Sequence, residues 1–246
     1  MQAIPIGQIR IAEPGRETRE LTIFAVGCCV IAALTGLAIQ RWPLPIYPGT
    51  DFTASAWYVV GFKLGYMLTV PLVWLRWRGY QLADLSGPRR SVSWIALGLA
   101  LTAGLALNLQ HVTPIGELLR SSPLSWRVAL GFVLPLVAAA IPEELAFRVL
   151  LQTRLEKTHG RLVAIALSTL LFTAWHLPSR FLLANGVEGT AGDLKSVLLG
   201  TGVPVFVVGL VLAAIWDRWR SALTIVALHY ALDLLPSLRH ALGGSF

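Results

Sequence analysis

Six ionisable side chains within the apolar stretches of this sequence fall into three short clusters. Residues 142–148 read Pro-Glu-Glu-Leu-Ala-Phe-Arg, residues 172–176 read Phe-Thr-Ala-Trp-His, and residues 229–233 read His-Tyr-Ala-Leu-Asp. The clustered residues are Glu143, Glu144, Arg148, His176, His229 and Asp233. An ionisable group inside a membrane span costs roughly 2.5–3.5 kcal/mol on insertion scales. We therefore interpret the clusters as one functional site. Lys63 is a further ionisable residue in an apolar stretch, and the sequence assigns it only a pairing or snorkelling role within a bundle.

The spacing within the clusters indicates which groups lie side by side. Residues four apart share one face of a helix, so Glu144 can reach Arg148 and His229 can lie beside Asp233. Glu143 is rotated by about 100° from Glu144, so the two carboxylates need not share one partner.

These residue types suit the activation of water for hydrolysis. We predict that Glu143, helped by His176, deprotonates a water molecule that attacks a peptide carbonyl. His229 and Asp233 would stabilise the resulting oxyanion or orient its donor. No serine or cysteine stands beside a base in an acyl-transfer motif, so a covalent mechanism is not favoured.

The elements that position these residues are predicted to be membrane-spanning helices. The chain is 55% hydrophobic and 13% charged, whereas soluble domains carry about 25% charged residues. A span needs about 20 apolar residues. Seven segments meet this description, at about 21–40, 56–75, 92–109, 127–155, 161–184, 196–216 and 221–236. The predicted fold class is an all-α polytopic bundle of seven spans, with an eighth left open. Residues 1–20 are predicted to be a cytoplasmic segment and 21–246 a single transmembrane bundle.

The loops predict the orientation of the bundle. With a cytoplasmic N-terminus, twelve Lys and Arg residues fall on the cytoplasmic side and six on the other, which agrees with the positive-inside rule. The cytoplasmic set includes Arg10, Arg89 and Arg90. A turn near Gly160 then brings the first two clusters to one depth, and all three are predicted to meet closer to the cytoplasmic face.

The predicted partners are the lipid bilayer and a membrane-associated protein or peptide substrate. The net charge of +7 is spread between the apolar runs and forms no compact basic patch with interleaved aromatic residues. Nucleic acid is therefore not expected as a partner.

The three clusters resemble a known family. They read Glu-Glu-x-x-x-Arg, Phe-x-x-x-His and His-x-x-x-Asn/Asp, in this order on three helices. This set of motifs resembles that of the type II CAAX prenyl endopeptidase and bacteriocin-processing superfamily. The resemblance covers about residues 125–240 and implies an intramembrane endopeptidase. It implies that the first glutamate and the first histidine activate water, that the second glutamate and the arginine support the site, and that the second histidine and the last polar residue form an oxyanion site. Prenyl-protein members often carry Asn where this chain has Asp233, which weakens the inference of a prenylated substrate.

Two alternatives stay open at this point. By ligand type, a divalent metal such as zinc could be held by Glu143, His176, His229 and Asp233. We favour the glutamate-type mechanism without a metal or other cofactor. The same buried polar groups could also serve a membrane transporter or a non-catalytic membrane scaffold.

Overall fold

The computed structural model describes residues 14–46, 52–80, 94–121 and 126–243, and the regular secondary structure of these ranges is helical. This confirms the predicted all-α class. The helices are α1 (Pro14–Arg41), α2 (Trp57–Trp77), α3 (Trp94–Ala106), α4 (Val112–Ser121), α5 (Trp126–His159), α6 (Arg161–Leu183), α7 (Leu194–Trp219) and α8 (Ala222–Ala241). Short 3₁₀ turns lie at Phe52–Ala54, Leu109–His111 and Gly186–Glu188.

Five of these helices are long and apolar enough to cross a membrane, namely α1, α2, α5, α6 and α7. A sixth span results if α3 and Leu109–Arg120, which meet at a 53° bend, are taken as one broken span. The chain is therefore an integral membrane protein. The predicted count of seven or eight spans is not confirmed. The predicted seventh segment, 221–236, coincides with α8, whose hydropathy is lowered by polar side chains that include His229 and Asp233.

The N-terminal boundary also differs from the prediction. α1 begins at Pro14, so the last part of the predicted 1–20 segment belongs to the first helix of the bundle. Residues 1–13 lie outside the described residues, as do Arg89 and Arg90, which contributed to the predicted orientation.

Tight connections join the helices that carry the site. Gly160 separates α5 from α6 with a φ of 84°, a conformation that glycine adopts without a steric penalty. α7 ends at Arg220, a non-glycine residue with a φ of 51°. Ser221 then accepts a hydrogen bond from the backbone N–H of Thr224 at 3.2 Å and so caps α8. The hairpin turn that was predicted at residues 159–160 is thus present between α5 and α6.

π-Helical stretches occur in three helices that line the central cavity. They lie at Trp57–Leu68 in α2, at Pro135–Ala140 and Leu145–Gln152 in α5, and at Leu198–Gly202 in α7. Such wider turns are frequent at functional sites. Because they alter the angle between successive side chains, positions along these helices depart from the simple 3.6-residue repeat.

A close backbone approach joins α3 to α8. A Cβ atom added to Gly104 would lie 2.6 Å from Cβ of Ala231 and 3.0 Å from the carbonyl oxygen of Leu228. Asn108 strengthens the contact by donating a hydrogen bond to the carbonyl oxygen of Leu232 at 2.9 Å. Small residues of this kind let membrane helices pack closely, and this contact supports the part of α8 that carries His229.

The end of the bundle where α5 meets α6 and α7 meets α8 is rich in cations, and we call it the basic end. Its described cations are Arg16, Arg19, Arg76, Arg78, Arg154, Lys157, Arg161, Arg218 and Arg220. Arg154 pairs with the buried Glu17 of α1, and the Tyr80 hydroxyl donates to the same carboxylate at 2.8 Å. Glu20 accepts from Arg78 at 2.5 Å, and this hydrogen bond raises the pKa of the Arg78 guanidinium above its ordinary value. These contacts tie α1 to α2 and α5.

Candidate active site

Glu143 lies at the centre of the site, in the Ile141–Glu144 turn of α5. Its side chain is buried, and Lys63 of α2 donates a hydrogen bond to its Oε1 atom. Lys63 is itself only 1% exposed, and its ammonium lies 4.0 Å from the ring centroid of Trp175. An anion and an aromatic ring face each stabilise a buried ammonium group. The predicted general base is therefore an ion-paired carboxylate.

Two histidines face the other oxygen of Glu143. Nε2 of His176 lies 3.9 Å from Oε2, and Nε2 of His229 lies 3.8 Å from the same atom. Nδ1 of His176 donates to the carbonyl oxygen of Phe172 at 2.7 Å, because a carbonyl can only accept. The Nε2 atom of a neutral His176 is therefore an acceptor.

The second carboxylate, Glu144, contacts His229 and Arg148. Its Oε1 atom lies 2.6 Å from Nδ1 of His229, and its Oε2 atom lies 3.5 Å from Nε of Arg148. Arg148 is fully buried, donates to the carbonyl oxygen of Gly209 at 3.2 Å, and lies over the Phe172 ring. The first and third clusters thus meet through Glu144, and Arg148, the neighbour that the i,i+4 spacing predicted for Glu144, lies beside it.

Asp233 completes the set from α8. Its Oδ2 atom lies 3.3 Å from Nε2 of His229, and its side chain is 41% exposed. Both ring nitrogens of His229 therefore lie against carboxylate oxygens, an arrangement in which a doubly protonated ring can donate to both.

Phe172 separates and orients the polar groups. Its ring makes edge contacts with His176 and His229, at centroid distances of 4.9 and 6.4 Å. Trp175 also packs against His176, with the two ring centroids 3.7 Å apart. Buried aromatic walls limit the rotamers of both imidazoles.

A cavity of about 550 Å³ leads away from these residues. Its lining includes Glu143, His176, His229 and Asp233, with apolar residues of α5 and α7 such as Pro135 and Val205 on other walls. A volume of this size is typical of small-molecule or short-peptide sites.

Arg180 lies one helical turn beyond His176 in the cavity wall. It donates to the Tyr58 hydroxyl at 3.0 Å and to Glu188 at 3.2 Å. The 3₁₀ turn that carries Glu188 packs closely on α7, where a Cβ atom at Gly200 would meet the Val187 carbonyl oxygen at 2.7 Å. The connection between α6 and α7 therefore forms part of the cavity wall.

The fit to a divalent metal is poor. Among the described residues, no three His, Cys, Asp or Glu side chains are arranged to hold a metal ion. The Lys63 ammonium occupies one oxygen of Glu143 and would repel a second cation there. The four residues that could supply ligands by type do not fit a metal site as they stand.

The six residues predicted from the sequence lie together in the structure, and α5, α6 and α8 contribute them. The sequence showed Lys63 as an ionisable residue in an apolar stretch but did not connect it with the site. Its signal was a lysine inside an apolar span, but its partner lies 80 residues further along the chain. Tyr58 and Arg180 were not predicted to line the cavity.

These features define an all-helical integral membrane protein with a buried carboxylate–histidine cluster at the base of a cavity. Residues 124–235 match the family described as "Rce1-like: Type II CAAX prenyl endopeptidase Rce1-like". The resemblance inferred from the three motifs is thus confirmed over this segment, which contains α5, α6, α7 and most of α8. Comparisons with curated proteins and with solved structures gave no match. The family is one of membrane peptidases, and Lys63 lies outside the matched segment.

Proposed function

We propose that the protein is an intramembrane endopeptidase that uses a water molecule activated by Glu143 and His176. The observation that carries the proposal is the position of Glu143 Oε2, which faces Nε2 of both His176 and His229 at just under 4 Å. These separations exceed hydrogen-bond length, and a water molecule between the groups would have polar partners on both sides. The family match supports the peptidase class.

In the proposed reaction, the water oxygen attacks the carbonyl carbon of the scissile bond while one of its protons passes to the Glu143–His176 pair. The C–N bond then breaks, and the same proton is delivered to the leaving nitrogen. The products are one carboxyl terminus and one amino terminus. The hydrogen bond from His176 Nδ1 to Phe172 supports this assignment because it keeps Nε2 directed at the reacting water.

His229 stabilises the oxyanion in this mechanism. A cationic imidazole flanked by Glu144 and Asp233 is held in place by both carboxylates and can shift its Nε2–H bond towards a developing negative charge. Asp233 therefore acts through His229, since an ionised carboxylate cannot donate a hydrogen bond. This role is compatible with Asn in related proteins, because an amide oxygen can accept the same bond.

Lys63 positions the general base. Its ammonium engages Oε1 of Glu143, and this leaves Oε2 directed at the histidines. The mechanism that we propose needs no metal, and the poor fit of the residues to a metal site supports this choice. Stoichiometric zinc that is lost together with activity on chelation would overturn it.

The proposed substrate is a peptide segment of a membrane-associated protein. The apolar walls of the cavity suit a hydrophobic side chain or lipid group, and the polar floor suits an extended peptide backbone. The match to a family of peptidases favours this function over a transporter or a non-catalytic scaffold.

The experiment uses quenched peptides with and without a farnesylated C-terminal cysteine motif, incubated with purified protein in detergent. Glu143→Gln is expected to lower the cleavage rate by about 10²–10⁴-fold, with the variant still monodisperse in size-exclusion chromatography. The matched control is Glu117→Gln, the same chemical change at an exposed glutamate outside the cavity lining. If the Glu143→Gln variant cleaved the peptide at the wild-type rate, the proposed role of Glu143 in activating water would be refuted. Peptidomics of membranes from cells with either variant then identifies the natural substrate.

A further inference from the structure

A groove separate from the cavity of the candidate site lies between α1 and α2, and we call it the α1–α2 groove. α1 contributes lining residues between Glu20 and Phe24, α2 contributes lining residues between Tyr66 and Trp77, and Leu150 of α5 also lines it. Its volume is about 230 Å³. Because α1 and α2 are both long and apolar enough to cross a membrane, most of the groove lies at the depth of the bilayer.

The groove opens on the outer surface of the bundle. Phe24 and Leu150 are buried in its floor, whereas Ile23 on one wall is 63% exposed and Trp77 at one end is 66% exposed. An apolar depression on the outside of a membrane-spanning bundle is in contact with lipid chains. The groove is therefore shaped to hold a chain that lies between two helices.

The length of the groove corresponds to one leaflet of a bilayer. At its inner end the Tyr66 hydroxyl donates to the carbonyl oxygen of Phe24 at 3.2 Å, and the two rings are stacked. A Cβ atom at Gly27 would overlap the same hydroxyl, so α1 and α2 leave no space beyond this point. From Tyr66 to Trp77 the helix rises by about 16 Å, close to half of the roughly 30 Å hydrocarbon core.

The other end of the groove is positively charged. Arg16 of α1 and Arg78 of α2 both lie over the Trp77 ring, with guanidinium carbons 5.9 and 5.3 Å from its centroid. Glu20 accepts a hydrogen bond from each of them, at 3.2 and 2.5 Å. One carboxylate therefore faces two guanidinium groups, and the exposed Arg19 adds a third cation on the same turn of α1.

We propose that the α1–α2 groove binds an anionic phospholipid, with one acyl chain along the groove and the phosphate against Arg16 and Arg78. Guanidinium groups form charge-assisted hydrogen bonds with phosphate oxygens, and clustered cations at a membrane surface attract anionic lipids. Tryptophan rings at span ends lie at the level of the lipid headgroups, which is the position of Trp77. The proposal does not depend on the endopeptidase function.

The headgroup preference follows from the charge of the groove's outer end. A zwitterionic lipid of the same chain length would fill the apolar part equally well, but its own cation would lie close to the arginines. A bound anionic lipid would contact α1 and α2 together, and α2 is the helix that carries Lys63. We therefore expect phosphatidylglycerol to raise the unfolding temperature of the detergent-purified protein more than phosphatidylcholine does.

Native mass spectrometry of the purified full chain measures the binding directly. The protein is mixed with equal amounts of phosphatidylglycerol and phosphatidylcholine that have the same acyl chains. Arg16→Gln should weaken phosphatidylglycerol binding about fivefold and leave phosphatidylcholine unchanged, since a basic residue near an anionic lipid surface contributes about 1 kcal/mol. Arg218→Gln is the matched control, because it removes an exposed cation from the basic end outside the groove lining.

A second pair of variants tests the groove itself. Val70→Trp fills the groove from the α2 wall and should reduce the binding of both lipids. Val73→Trp makes the same change at an exposed position of α2 outside the groove lining and should leave binding unchanged. Size-exclusion chromatography of each variant shows whether it is folded, and the Arg16→Gln comparison stands if Val70→Trp is not.

Four results would overturn the proposal. Equal binding of the two lipids by the wild type would show that the groove does not recognise the headgroup charge. Unchanged phosphatidylglycerol binding by Arg16→Gln would remove the arginine from the contact. Equal binding by folded Val70→Trp and Val73→Trp would indicate surrounding bilayer lipid only. A wild-type dimer that Val70→Trp dissociates would assign the groove to a second copy of the chain.

Discussion

The two oxygens of Glu143 have different environments. Oε1 is bonded to the Lys63 ammonium, and Oε2 faces the two histidines. A charge-assisted hydrogen bond is short and directional, so the carboxylate plane is fixed by a residue from a helix that the family match does not cover. The general base that we propose is thus positioned by α2 as well as by its own helix.

Lys63→Met is expected to lower both stability and activity. Removing one partner of a buried ion pair leaves an uncompensated charge, at a cost of about 3–5 kcal/mol. Peptide cleavage should fall more than tenfold, mainly in kcat, because Glu143 loses its orientation. Thermal unfolding in detergent and the peptide assay measure the two effects.

The controls for Lys63 separate charge from orientation. The double variant Lys63→Met/Glu143→Gln should recover part of the lost stability but no activity, because the buried charge is gone and so is the base. Lys63→Arg keeps a cation and should retain partial activity. If a folded Lys63→Met protein kept the wild-type kcat, Lys63 would not be needed to position Glu143.

The sequence predicted which residues lie together around Glu143 but not how they share partners. Glu144 beside Arg148 and His229 beside Asp233 followed from helical spacing, which is a local property. The contacts of Glu143 with Lys63 and of Glu144 with His229 join residues 80 and 85 positions apart. Such pairs depend on how helices rotate against one another, and no periodicity in a single segment encodes that rotation.

At the scale of the helices, the sequence predicted positions better than shapes. The bounds of α2, α5, α6 and α7 agree with the predicted apolar segments to within a few residues. The bend between α3 and α4 was not predicted. It lies at Asn108, whose side chain bonds to the backbone of α8, and such a contact between distant segments cannot be read from one segment alone. The π-helical turns of α2, α5 and α7 also have no simple signal in composition.

The contact between α3 and α8 makes Gly104 a sensitive position. Gly104→Val is expected to lower the unfolding temperature in detergent, because a side chain there overlaps Ala231 and the backbone of Leu228. Overpacking of this kind costs about 1–3 kcal/mol. Peptide cleavage should also fall, since Leu228 directly precedes His229 on α8.

Gly98→Val is the matched control on the same helix. A Cβ atom at Gly98 meets nothing within 4 Å, so the substitution should leave stability and cleavage near wild-type values. If both variants behaved alike, the effect at Gly104 would reflect helix composition and not the contact with α8.

At the scale of the whole molecule, the basic end and the cavity have different roles. The basic end holds ion pairs between helices, such as Arg154–Glu17, Arg220–Glu156 and Arg161–Asp217. The cavity holds the polar groups that a substrate would meet. A change at the basic end should therefore affect stability without affecting the proposed catalysis.

Glu17→Gln tests this separation. Glu17 is buried and accepts from both Arg154 and Tyr80, so the substitution leaves the Arg154 charge without its anion and should cost about 3–5 kcal/mol. Well below the unfolding temperature, peptide cleavage should remain near the wild-type rate because the Glu143 site keeps its contacts.

Arg16→Gln, one position earlier on α1, provides the contrast. Its ion pair with Glu20 is half-exposed, and removing an exposed pair costs about 0–1 kcal/mol. The two variants therefore compare a buried pair with an exposed pair on one helical turn. If Glu17→Gln left the unfolding temperature unchanged, the Arg154 pair would not stabilise the bundle. If it abolished cleavage in a folded protein, the basic end would be coupled to the site, and the separation of the two roles would be wrong.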